Sequence, residues 1–264
     1  MLVDSHCHLD YLAADGDLDA VIERARAAGV GYMQTISTRL DEFDTVVAIA
    51  AGRDDIGCSV GVHPHNVADD QPPADFKRLA ALAEAPQVIG IGETGLDFYY
   101  DHSPREVQAA SFRTHIRAAR ETGLPLIVHT RDADAATIGI LREEAEQGAY
   151  PGLIHCFSAG PELAQAALDL GLFISLSGIV TFKTADAVRA VARTVPPERL
   201  LIETDAPYLA PVPKRGKRNE PAFVAHTAAF LANLLDTDMD GLAARTTDNF
   251  FRLFAKARRP SNRA

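Results

Sequence analysis

His6 and His8 (in VDSHCHLD), Glu93 (in VIGIGETGLD), His129 (in PLIVHTRDA), His155 (in GLIHCFSAG) and Asp205 (in LLIETDAPYLAP) each stand near the downstream end of an apolar, largely β-branched run, just before a polar turn. Imidazole nitrogens together with carboxylate oxygens are a ligand set for divalent transition metals. Four histidines and two carboxylates exceed what one tetrahedral ion takes, so the set predicts two ions. His6 and His8 are two apart on a strand and point to one face, where both can chelate the first ion. Glu93 has two oxygens and is suited to bridge the pair. His129 and His155, on successive strands, serve the second ion. Asp205 completes the shell of the first and accepts a proton from its water. Glu203 lies two residues before Asp205 on the same strand face and joins the catalytic group by orienting Asp205 or a ligand histidine. Asp97, four residues after Glu93, is either such a partner or a turn aspartate.

Two further features surround this set. SVGVHPHN places His63 and His65 at the end of the third apolar run. His63 is read as a rim group that holds phosphate or protonates a leaving group, and His65 as a substrate-binding neighbour. PVPKRGKRNEP supplies Lys214, Arg215, Lys217 and Arg218 just after Asp205, and Arg215 is assigned to phosphate binding. His102, His115 and His226 fall in turn or helix segments and receive no role.

Residues so far apart converge only if strand ends share a rim. Eight strand-like runs can be picked out: LVDSHCH, GVGYMQTIS, DIGCSVGVH, QVIGIGETG, PLIVHT, GLIHCFS, LFISLSGIV and LLIETD. Helical stretches such as DLDAVIERARAAG and PADFKRLAALAEA separate them, several ending at glycine (Gly29, Gly52, Gly123, Gly171). Ser103, Pro104 and Glu106 spell a capping box at the head of another helix. Repeated strand–helix units with nearly all-apolar strands imply a parallel sheet covered by helices, and eight of them suit an α/β (β/α)8 TIM barrel, whose catalytic groups sit at the C-terminal strand ends. A doubly wound open sheet is the alternative, but it would gather ligands at one switch point. No linker interrupts the pattern, so residues 1–264 are read as a single domain. The segment from Pro221 reads as helical, and the tail KARRPSNRA is expected to fray.

Composition narrows the classes. The chain has 264 residues, 47% of them hydrophobic and 23% charged, ordinary for a soluble globular protein. No apolar run approaches the ~20 residues of a membrane span, and no secretory signal is evident at the start, which makes the cytoplasm the expected location. Cys7, Cys58 and Cys156 do not suggest a disulfide framework; each falls in a strand-like run and reads as a small buried thiol. The net charge of −10 argues against binding duplex DNA by broad charge neutralisation. It leaves room for a small cationic site created by bound metal.

DSHCHLD, GVHPH, GETGLDFYY, HCFS, ETDAPYLAP and RGKRNEP resemble, in order, the motifs of the TatD family of metal-dependent deoxyribonucleases, over nearly the whole chain. The resemblance implies a TIM barrel of the amidohydrolase superfamily, the metal ligands His6, His8, Glu93, His129, His155 and Asp205, and an active-site role for His63. It places Glu93 where many superfamily members have a carboxylated lysine. Ala159 stands where the family often has glycine, beyond the ligand His155. The reading is a phosphodiesterase acting on DNA ends with two divalent ions (Mg2+, Mn2+ or Zn2+), which activate water and draw charge off phosphate. Its 3′→5′ polarity on single strands rests on the resemblance alone. Two rivals remain: another hydrolase of the scaffold, cleaving C–N bonds or organophosphate esters, and a non-catalytic metal-dependent binding protein.

Overall fold

In the computed structural model, which describes residues 1–14, 16–70 and 73–260, the eight apolar runs become eight parallel strands. They are β1 (Leu2–Cys7), β2 (Val30–Thr35), β3 (Ile56–Val60), β4 (Val88–Asp97), β5 (Leu126–Arg131), β6 (Gly152–Ile154), β7 (Phe173–Leu176) and β8 (Leu200–Ile202). Each pairs with the next in sequence. The ring is drawn together between β8 and β1 by an isolated parallel bridge, Cys7 with Ala206. The His8 amide donates to the Ala206 carbonyl at 2.7 Å and the Asp205 amide to the His6 carbonyl at 2.9 Å. Asp4 adds a strap, accepting from the amide and hydroxyl of Thr204 at 2.8 and 2.5 Å. The fold is the single-domain TIM barrel that the repeated units predict.

Most of the apolar surface lies between the strands and the surrounding helices. A smaller cluster fills the lower lumen, where Val3, Ile89, Ile127, Leu153, Phe173 and Leu201 meet Phe250 and Phe254 of the last helix, Met239–Leu253 and its C-cap. That layer sets the phase of the strands. Two residues above Ile127, Leu153 and Leu201 come His129, His155 and Glu203, so the alternation that buries the lower core turns these three into the upper lumen. On β1 the alternation is broken: the register with β2 shifts between Asp4 and Cys7. His6 and His8 therefore turn inward on a strand whose lower lumen residue is Val3.

Several local expectations change. The ends of β6 and β8 are shorter than their apolar runs, leaving HCFS and ETD in irregular backbone, and the end of LFISLSGIV forms a 3-10 turn, Gly178–Thr181. Cys156 thus lies beyond its strand, with φ of 43°. The capping box at residue 103 does not form. The helix runs Arg105–Thr122 with no side-chain cap, and Ser103 Oγ instead donates to the His65 carbonyl at 3.0 Å and accepts from the Ala68 amide at 3.3 Å. Tertiary partners outcompete the local cap there. At the other end of the same helix Gly123 does provide the left-handed stop, at φ of 69°. The tail is docked as far as it is described. Lys256 Nζ donates to the carbonyls of Ala83 and Ala85 at 2.7 and 2.8 Å, while residues 261–264 lie outside the described residues.

Candidate metal centre and its cavity

The upper lumen opens into a cavity of about 690 Å³ lined by residues from the C-terminal ends of the strands. Glu93 stands at its base. Oε2 faces His6 Nε2 at 3.4 Å, and Oε1 faces His155 Nε2, His129 Nδ1 and His63 Nε2 at 2.7, 3.1 and 3.5 Å. Asp205 Oδ1 stands 3.6 Å from both His6 Nε2 and His8 Nε2. All six residues named as ligands from the sequence are thus brought together around Glu93, a first set of His6, His8 and Asp205 at Oε2 and a second of His155 and His129 at Oε1, with the His6 and His155 rings stacked between them at 3.8 Å. His63 joins the second group: its nitrogen lies as close to Glu93 and His129 as a ligand atom would.

These donors fit a cation. His6, Glu93 and His155 are buried. Neither nitrogen of His6, nor Nδ1 of His8, makes a hydrogen bond among the described residues. Buried polar atoms left without a partner are costly, and here they converge with carboxylates on one spot. The charges push the same way. Burial opposes ionisation of Glu93, yet His155, His63, His6 and His129 around it hold its carboxyl well below the usual range. Burial also works against a charged His155, but Glu93 and Glu203 on either side raise it well above an ordinary imidazole. A carboxylate held ionised among converging imidazoles is the donor set that a divalent ion takes.

Behind the donors lie residues that fix their direction. His155 Nδ1 meets Glu203 Oε1 at 3.2 Å, which leaves Nε2 toward Glu93. Glu203 is held in turn by the Cys156 amide at 2.7 Å and the Ser175 hydroxyl at 2.5 Å. Glu203 and Asp205 do not share a strand face, because β8 ends at Ile202 and Asp205 has φ of 59°. Of the partners weighed for it, Glu203 takes the histidine. Asp97 is both a partner of the ligand histidine and a turn aspartate. Oδ2 holds His129 Nε2 at 3.0 Å and His65 Nε2 at 2.9 Å, while Oδ1 accepts the amides of Tyr99 and Tyr100. Burial would raise this carboxyl, but its bonds to His129, His65 and the Tyr100 amide hold it far below the usual carboxylate range.

Gly95 explains how β4 and β5 come so close. A Cβ there would sit 1.9 Å from the His129 carbonyl, and φ is +137°, a conformation open mainly to glycine. The sequence marks this position only as a glycine after Glu93.

The rim departs from expectation. His63 Nδ1 accepts the His65 amide at 3.1 Å, so the neutral ring carries its proton on Nε2, facing the cavity. Burial keeps that ring neutral, well below the ordinary histidine value. His65 lines the cavity with its Nε2 engaged by Asp97. Arg215 lies outside the lining, exposed, its guanidinium stacked 3.8 Å over Phe182. Among the described residues, the arginine that does line the cavity is Arg131, at the end of β5. Tyr11, Tyr100, His102, Cys156 and Tyr208 also line it, and none was assigned from sequence. Cys7 faces away, its thiol donating to the Gln34 carbonyl. Asn219, within RGKRNEP, is buried and ties the carbonyls of Thr204 and Tyr208, fixing the loop that carries Asp205. Only its place after a run of cations hinted at it.

A parallel barrel with buried histidines and carboxylates clustered over the C-terminal strand ends defines a metal-hydrolase class of site. The family model of TatD-related DNases matches residues 3–255, and the chain belongs to that family. It is 47% identical over 256 residues to the uncharacterised metal-dependent hydrolase YcfH of Escherichia coli K12, covering 96% of this chain and 95% of that protein. It is 36% identical over 247 residues to a 3′-5′ ssDNA/RNA exonuclease TatD of Enterobacter lignolyticus, covering 91% and 94%. The crystal structure of YjjV, a TatD homologue from Escherichia coli K12, superposes with a TM-score of 0.87 at 29% identity over 96% of this chain and 98% of that one.

Proposed function

We propose that this protein hydrolyses phosphodiester bonds at the ends of single-stranded DNA, in the 3′→5′ direction, using two divalent ions. The observation that carries this is Glu93, whose Oε2 faces His6 and whose Oε1 faces His155, His129 and His63. His6, His8 and Asp205 would hold one ion, His129 and His155 the other, with Glu93 between. Bound there, divalent ions acidify water and neutralise developing charge on phosphate oxygens. Family membership supports a DNA substrate, and the TatD exonuclease of Enterobacter lignolyticus supports the polarity and the preference for single strands.

The chain's own groups have defined tasks in this reading. Asp205 is held ionised: burial opposes this, but the bond to His8 and the charges of His6 and His155 lower its carboxyl. It takes the proton of the attacking water. His63 stays neutral and offers Nε2–H to the leaving oxygen. Asp97 and Glu203 aim His129 and His155 by occupying their far nitrogens, which holds the rings rigid against the reacting phosphate. No helix among the described residues is long and apolar enough to cross a membrane.

The test is digestion of 5′-labelled single- and double-stranded DNA and RNA across Mg2+, Mn2+ and Zn2+. The expected result is a metal-dependent ladder descending from the 3′ end of single-stranded DNA. Metal-dependent cleavage of amides or organophosphate esters without any nuclease product would replace this reading with another hydrolase. Metal and DNA binding without cleavage of any substrate would leave a binding protein.

A further inference from the structure

Five large hydrophobic side chains are exposed among the described residues, and three of them are tyrosines: Tyr100 and Tyr208, which line the cavity, and Tyr99, which packs edge-on to Tyr100, at 50%, 53% and 57% exposure. Tyr99 and Tyr100 follow β4, and Tyr208 follows β8. In a ring ordered β1 to β8 these two strands are diametrically opposed. The exposed aromatic surface therefore forms two plates, one on each side of the candidate metal centre.

Both plates are built rather than loose. Tyr100 lies parallel to His102, with ring centroids 5.6 Å apart and planes 8° from parallel. Its backbone amide is fixed by Asp97 Oδ1 at 2.8 Å. The guanidinium of Arg131 stands 4.0 Å from the Tyr99 ring centre and 4.9 Å from that of Tyr100. On the far wall Tyr208 packs edge-on to Tyr11 at 6.5 Å. Tyr11 stacks on His8 at 5.0 Å and hydrogen-bonds Thr38 at 2.9 Å. Flat π faces with a cation beside them form a stacking surface for nucleobases, which any base satisfies and which a paired base cannot reach.

Resting on the nuclease reading above, we propose that Tyr100 and Tyr208 stack the two unpaired bases flanking the scissile phosphate, with Arg131 beside the first. Recognition then requires single-stranded character on both sides of the bond and is indifferent to base identity. The acidic chain needs no broad cationic groove, because stacking supplies what phosphate contacts supply elsewhere.

The experiment compares metal-free binding of oligo(dT) with that of an abasic oligomer of equal length and charge. The chain contains no tryptophan, so tyrosine fluorescence quenching reports stacking directly. Wild-type protein is expected to prefer oligo(dT). Tyr100→Ala and Tyr208→Ala should each weaken oligo(dT) binding by roughly 5- to 150-fold, following the ~1–3 kcal/mol of a stacked base. Binding of the abasic oligomer should not change, and Tyr100→Phe should restore the preference. Equal wild-type affinity for the two oligomers, or variants that bind oligo(dT) normally, would overturn the stacking proposal alone if a metal-dependent 3′ ladder persists. Absence of both binding and ladder would remove the nuclease reading and this proposal together.

Discussion

The two ends of the barrel lumen are made from the same strands by the same alternation, yet they hold opposite chemistry. The lower end is closed by Phe250 and Phe254 against Ile127, Leu153 and Leu201. The upper end, two residues along those same strands, holds His129, His155 and Glu203. The lower layer needs only shape and volume. The upper layer places nitrogens and carboxylates close together, which is unfavourable for folding unless protons or cations are shared among them. One backbone repeat thus separates what keeps the barrel closed from what does chemistry.

The sharpest way to break that separation is at the upper end. Glu93→Gln keeps the shape and removes the charge between the two donor groups. Hydrolysis should fall by more than about 100-fold, since even residues behind metal ligands are worth roughly 10–100-fold. Circular dichroism should be unchanged. Chelation of the wild type should do the same, with a modest fall in Tm from lost ligand binding. Global loss of helix signal on chelation would mean that the upper layer holds the fold. Full activity in the variant with metal still bound would dismiss Glu93 as the shared ligand.

Phe250→Ala is the reverse experiment. Phe250 is fully buried, and its truncation should cost about 3–5 kcal/mol of stability, read from the denaturant midpoint. The rate per folded molecule at 25 °C should stay near wild type. A rate that collapses while the midpoint holds would show that the two ends are coupled.

His115 probes the ground between them. It was given no role from sequence, yet it is buried against the end of β3, where Nε2 accepts the Val62 amide at 3.1 Å and Nδ1 faces the Ser111 carbonyl at 2.8 Å. Burial lowers its pKa from 6.5 to about 4. Between those values the unfolded chain binds a proton that the folded protein refuses, so stability rises with pH across this window. The contribution is complete above 6.5 and is lost as pH falls toward 4, on the order of 3 kcal/mol in all. His115→Gln keeps an acceptor for the Val62 amide and removes the titration. The fall in midpoint from pH 7 to pH 5 should be visibly smaller in the variant, and an identical fall would show that His115 does not carry it.

The barrel was legible because β-branched runs and their spacing report directly on a parallel sheet, and strand ends report on the rim. What was hidden depends on departures from regular backbone. The register shift on β1 and the left-handed turn at Asp205 decide which side chains face each other, and neither leaves a periodic trace. The choice of Glu203 between Asp205 and a ligand histidine stays open in the sequence for that reason, and the structure gives it His155. Asp97 could not be separated into clamp or turn because it serves as both. The aromatic residues of the cavity were passed over because tyrosine in a turn carries no positional signature until the rim is assembled.

Arg215 is the smallest test and concerns the margin beyond the upper end. A run of cations near an active-site strand suggested phosphate binding, but Arg215 lies outside the cavity and spreads over Phe182. From there it meets a substrate only at phosphates that have left the cavity. Arg215→Ala should therefore weaken oligonucleotide binding about two- to fivefold at moderate salt. It should also reduce the slope of log Kd against log salt by about 0.7 to 1, the signature of one lost phosphate contact. Metal content and the rate at saturating substrate should not move. The effect should vanish at high salt, where screening removes a surface charge but leaves a stacked base intact. Tyr100→Ala should show the opposite dependence, with a loss that persists as salt rises. If Arg215→Ala changes neither affinity nor slope, the loop contributes only its packing on Phe182, and recognition lies wholly within the cavity.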